Sequence, residues 1–173
     1  MHSFHSPISN KRTDQYGGPF ENRVKFTLDT LRIVREEWSQ GKPLCIRLSC
    51  SDYVDGGWTL EDTVKLSSML KEIGVDLIDC SGGGSTPKAN IPIGPGYQVP
   101  FSETIRKSVG IPTASVGLIT EPFQADQIIR NGQADVVFLG RAFLRDPYWP
   151  YRAAITLGHE EKSYTPKQYH RAM

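Results

Sequence analysis

The chain has 173 residues, a formal net charge of +1 and 38% hydrophobic residues, the size of one ordinary domain able to bury its own core. A balance this close to neutral excludes the strongly basic surface of a nucleic-acid binder and the polybasic face of a protein held on anionic lipid. No apolar run approaches the ~20 residues of a membrane span.

The opening Met1-His2-Ser3-Phe4-His5-Ser6-Pro7 has neither the basic lead nor the apolar stretch of a signal peptide. Cys45, Cys50 and Cys80 lack C-x-x-C spacing and read as free thiols. The expected setting is a reducing, cytoplasmic one, with no membrane and no nucleic-acid partner.

Ser6 to Pro19 is rich in turn formers and reads as loop. Glu21 to Trp38 has a helical distribution of apolar residues, stopped by Gly41-Lys42-Pro43. Leu44 to Ser49 is a short strand. Thr59 is an N-cap with Asp62 at the capping-box position, and the helix it opens runs to Gly74. Val75 to Cys80 is the second strand, followed by a long Gly- and Pro-rich loop, Ser81 to Pro100. Such a loop inside a compact domain is functional or disordered.

Phe101 to Val109 is a helix and Ile111 to Val116 the third strand. Glu121 to Arg130 is a helix ended by Asn131-Gly132, and Ala134 to Leu139 is the fourth strand. Gly140-Arg141 opens a helical segment, and Pro147 to Leu157 is the last helix. Gly158 to Met173 is a polar tail.

The order is one helix and then strand–helix repeated. Units of ~30 residues with continuously apolar strands predict a parallel sheet covered on both faces or closed into a barrel. The order alone does not separate a doubly wound sheet from part of a (β/α)₈ barrel, so the strand ends matter most. Parallel α/β folds place their sites there.

Arg47 stands in the first strand. It is either a structural ion pair with Asp52, Asp76 or Asp79, or a cation facing an acceptor-rich ligand. Gly82-Gly83-Gly84 is a weak signal that any loop would explain. Gly117 and Gly140-Arg141 lie on successive strand ends. Together they fit a phosphate site built from close backbone approach and one fixed charge. A G-x-G-x-x-G motif is missing, which leaves a Rossmann site unsupported. His2, His5, His159 and His170 lie in the opening and the tail and are expected to be solvated, without metal spacing.

Several strings together resemble the Old Yellow Enzyme family, in its bacterial, thermophilic-like branch. They are Ser6 to Gly18 (SPISNKRTDQYGG), Pro43 to Ser49, Gly74 to Asp79, Pro95 to Pro100, Val116 to Thr120 and Leu139 to Pro147. The resemblance spans nearly the whole chain. It implies that residues 1–173 are the C-terminal half of an FMN-binding (β/α)₈ barrel, strands five to eight, with four parallel strands each followed by a helix. It also implies FMN as cofactor and NAD(P)H as reductant. By that resemblance Arg47 stands beside the flavin N1–C2 carbonyl edge, and Gly117, Gly140 and Arg141 clamp the FMN phosphate. Arg171 would be either a finger reaching a neighbouring subunit's site or part of a frayed terminus.

The implied reaction is ene-reduction: hydride passes from NAD(P)H to flavin and on to the β-carbon of an activated alkene. The family's His-x-x-His or His-x-x-Asn pair on strand four lies upstream of Met1. Met1 is therefore expected to be an internal methionine, or the chain a fragment. The alternative expectation is a truncated, non-catalytic chain that binds FMN weakly or only assembles with a partner. A third reading is a non-flavin half barrel that binds a sugar or nucleotide phosphate. A half barrel leaves two strand edges and an apolar inner face open, so a homo-oligomer through those edges or the tail is expected.

Overall fold

The computed structural model describes residues 1–159 and 166–168. Arg171 and most of the polar tail lie outside the described residues. The elements are α1 (His2–His5), α2 (Phe20–Glu37), β1 (Cys45–Ser49), α3 (Leu60–Ile73), β2 (Leu77–Ser81) and α4 (Val99–Val109). They continue with β3 (Thr113–Ser115), α5 (Pro122–Arg130), β4 (Val136–Val137), α6 (Arg141–Arg145) and α7 (Trp149–Thr156).

Local chemistry explains most boundaries. Helix α2 buries Val24, Leu28 and Leu31 along one stripe, the i, i+4, i+7 spacing of a helix face. In α3 the Thr59 hydroxyl accepts from the Asp62 N–H at 3.2 Å and the Asp62 carboxylate accepts from the Thr59 N–H at 3.4 Å, so the expected capping box is present. The helix closes at Gly74, whose φ of +92° suits glycine. Strand β3 is shorter than its apolar run because Pro112 has no N–H to give the ladder. In β4 the pairing is carried past its two residues by Asp135 N–H to Thr113 O and Phe138 N–H to Ser115 O, both 2.8 Å.

The four strands pair in parallel in the order β1-β2-β3-β4. This is the expected strand–helix repeat, a partial (β/α)₈ barrel. Arg47 pairs with Asp79, Asp79 with Ala114 and Ala114 with Val136, so these four form one layer on the same face. The opposite face carries Ile46, Leu48, Ile78 and Cys80, which join residues of α2, α3 and α4 in the main core. A second, smaller core gathers Val99, Ile119, Ala125, Ile128 and Ala134 under α5. On the layer's own face Val136 and Phe138 remain 37% and 41% exposed. Among the described residues β1 and β4 are both edges.

The opening departs from expectation in its histidines: His2 and His5, which stand on α1, are not solvated. His5 is 1% exposed, stacks on Trp58 with ring centroids 5.2 Å apart, and its Nε2 lies 2.6 Å from the Thr27 hydroxyl. His2 Nε2 lies 2.7 Å from Asp52 Oδ1. The expectation failed because an imidazole is flat and half apolar, and a neighbouring indole and hydroxyl satisfy both halves. The polarity of its sequence surroundings says nothing of that.

Candidate functional site

At the strand C-termini one cleft of about 360 Å³ is lined by Arg47, Ser81, Gly117, Gly140, Arg141 and Arg145, among others. Four of the five expected site residues converge there. The fifth, Arg171, is outside the described residues. Among the described residues no carboxylate lines this cleft, so its electrostatics favour an anion.

Arg47 resolves to one of its three possible partners. Its Nη1 is 3.1 Å from Asp79 Oδ2, and Nη2 donates to the Ser81 hydroxyl at 3.2 Å. The other two carboxylates are engaged elsewhere. Asp52 accepts from Ser6 and from the Trp58 N–H, and Asp76 accepts from the Leu44 N–H at 2.7 Å. The ion pair does not remove Arg47 from the cleft, since its side chain stays 57% exposed. Burial pushes the Asp79 carboxyl above its ordinary value, against the downward pull of Arg47.

The turn after β3 is tightly specified. Gly117 has φ +126°, and a Cβ there would sit 3.0 Å from the Tyr97 ring. Leu118 follows with φ +50°, a left-handed conformation that costs a non-glycine residue roughly 1–3 kcal/mol. The Gly117 carbonyl accepts from the Gly96 N–H at 2.8 Å. Gln98 ties the two loops together. With its amide oriented to satisfy both ends, its nitrogen donates to Val116 O at 3.1 Å, and its oxygen accepts from the Tyr97 hydroxyl at 2.8 Å.

The turn after β4 is open by comparison. Gly140 caps α6 with φ −87°, and a Cβ there would meet nothing within 4 Å. The first N–H groups of α6 have no acceptor within the helix, and Arg141 stands at its first position.

Ser81, Tyr97, Gln98 and Arg145 also line the cleft and were missed as site residues. Ser81 and Arg145 carried usable signals. Ser81 stands two residues after Asp79, on the same side of the strand. Arg145 stands one helical turn beyond Arg141. Tyr97 and Gln98 lie in an irregular loop, where spacing gives no orientation.

The site fits an FMN-type ligand on two observations of this structure. The space a Gly140 Cβ would occupy is open, and three guanidinium groups share one cleft with the rings of Tyr97 and Phe138.

The chain is 51% identical over 171 residues to the NADPH dehydrogenase of Geobacillus thermodenitrificans, covering 99% of this chain and 49% of that protein. It is 45% identical to the NADPH dehydrogenase of Halalkalibacterium halodurans, covering 99% and 49%. The chain thus spans about half the length of the curated relatives it matches.

Among solved structures, 2-naphthoyl-CoA reductase superposes with a TM-score of 0.80 at 29% identity, over 92% of this chain and 24% of that one. Morphinone reductase superposes at 0.70 and 21% identity, over 98% and 48%. The old yellow enzyme homologue of Zymomonas mobilis does so at 0.68 and 22%, over 95% and 44%. The last two show the fold alone. Residues 1–160 match the model of the NADH:flavin oxidoreductase / NADH oxidase family, and the chain belongs to that family.

Proposed function

We propose that this chain supplies the FMN-phosphate and flavin-edge contacts of an NAD(P)H-dependent oxidoreductase. The observation that carries the reading is the convergence of Arg47, Gly117, Gly140 and Arg141 on one cleft that, among the described residues, no carboxylate lines. In this reading Gly117, Gly140 and Arg141 hold the phosphate, and Arg47 faces the flavin N1–C2 carbonyl edge. A fixed guanidinium there stabilises negative charge arriving on the ring. FMN held there would supply hydride-transfer chemistry between NAD(P)H and an electron-poor double bond, whose other carbon takes a proton. The proposed substrate is therefore a small activated alkene such as an enone, and the proposed setting is the cytoplasm.

A second reading is favoured by the two open sheet edges and the half-length match. The chain on its own binds FMN weakly, or serves chiefly to assemble with a partner, a second copy through the open edges or the tail included. Arg171 remains a proposed finger in trans.

The test is an FMN titration of the purified chain, followed by quenching of flavin fluorescence, with Arg141→Ala as the control. Saturable binding weakened by the substitution supports the first reading. A folded chain that binds no FMN leaves only the second.

A further inference from the structure

Arg47 and Asp79 are direct partners in the β1–β2 register, and their charged groups meet at 3.1 Å. Asp79 is 6% exposed. Among the described residues its Oδ1 is buried without a hydrogen-bond partner. The other residues of its layer are Ala114 and Val136, so the position belongs to an apolar row.

Stability does not explain a carboxylate here. With Arg47 57% exposed the ion pair is worth little to stability, and the unpaired buried oxygen of its partner adds a desolvation cost. What the carboxylate does provide is geometry and charge. With Ser81 it fixes two of the guanidinium nitrogens, leaving the rest of Arg47 facing the cleft.

We propose that Asp79 is a positioning residue that fixes the Arg47 guanidinium in the cleft, so that through Arg47 it sets how strongly a bound flavin is favoured in its reduced form. This deepens the flavin reading above and rests on it. Arg47 favours the accumulation of negative charge on the ring, and Asp79 limits that effect by holding the guanidinium to itself, so the paired cation acts on the ring less than a free one would. Asp79 acts through Arg47 and touches no reacting atom.

The experiment measures the midpoint potential of FMN bound to the purified chain by equilibration with a reference dye. It compares the parent, Asp79→Asn, Arg47→Met and the double variant, with circular dichroism as the folding check. Asp79→Asn is expected to shift the preference toward reduced FMN about tenfold, a rise of ~30 mV for a two-electron couple. In the Arg47→Met background the same substitution is expected to shift it less than about twofold.

A change under about twofold in Asp79→Asn that still binds FMN overturns the proposal. An equal shift with Arg47 absent also overturns it, because the carboxylate would then act on the flavin directly. If Asp79→Asn does not fold, Asp79→Ala, which buries no amide, carries the same expectations. A folded parent chain that binds neither oxidised nor reduced FMN sinks the flavin reading itself, and this role falls with it. Loss of binding in the parent thus separates that failure from an unchanged potential in the variants.

Discussion

His2 Nε2 and Asp52 Oδ1 lie 2.7 Å apart, so the first helix is fastened to the loop after β1 by a carboxylate that is 0% exposed. The same carboxylate accepts from the Ser6 hydroxyl at 2.6 Å and the Trp58 N–H at 2.7 Å. Asp52→Ala leaves those donors without an acceptor. The expected loss is about 3 kcal/mol, read as a fall in melting temperature of roughly 6–12 °C for a chain of this size. A fall of a degree or less would show that the opening segment is not held by this contact.

Two buried groups in this region give acid sensitivity in separate windows. Burial pushes the His5 pKa down to about 3, with His2 and Arg23 adding to the shift. A histidine whose folded pKa lies below the ordinary ~6.5 makes the unfolded chain bind more protons. Stability therefore falls as pH drops from that value toward the folded one.

Asp52 behaves differently. Burial alone would raise its pKa, but hydrogen bonds from Ser6, Trp58 and His2 outweigh it and hold the carboxyl low. Its contribution is present above the ordinary carboxylate range and is lost only as pH falls through the lowered value. His5→Leu is expected to flatten the stability profile between about pH 6.5 and 4, while leaving the steeper loss below it. An unchanged slope in a urea-unfolding series across that window would count against the His5 assignment.

The two glycine turns of the cleft separate folding from binding. Gly117→Ala puts a Cβ 3.0 Å from the Tyr97 ring at φ +126°, and is expected to cost roughly 1–3 kcal/mol of stability. Gly140→Ala meets nothing within 4 Å and keeps an ordinary negative φ, so the melting temperature should hold. The added methyl enters the cleft, and FMN affinity should fall about tenfold, ~1.4 kcal/mol. If Gly140→Ala binds FMN as the parent does, that turn does not approach the phosphate.

Much of this organisation was legible in the chain. The Thr59–Asp62 box, the Gly74 stop and the four apolar runs follow from local chemistry, which acts over a few residues and leaves a periodic trace. The convergence of Gly117 with Gly140-Arg141 followed from one topological rule about strand ends. The choice of Asp79 over Asp52 and Asp76 as the partner of Arg47 was not legible. It depends on β1–β2 register, which no residue encodes by itself. The burial of His5 depends on Trp58 and Thr27 arriving from distant positions, and the roles of Tyr97 and Gln98 depend on the path of an irregular loop.

The three cysteines report on the open face of the sheet. Cys50 and Cys80 are 0% exposed on the helix-covered side, and burial pushes the Cys50 thiol well above its ordinary value. Cys45 is exposed on edge strand β1, two residues from Arg47 and on the same side. In the native chain one thiol is expected to react quickly with Ellman's reagent, and all three after unfolding. If copies associate through the open edges, the Cys45 rate should fall as protein concentration rises. Val136→Lys, which places a charge on the other edge strand, should restore it. A Cys45 rate independent of concentration, with a monomeric elution volume throughout, would remove self-association through these edges from the account.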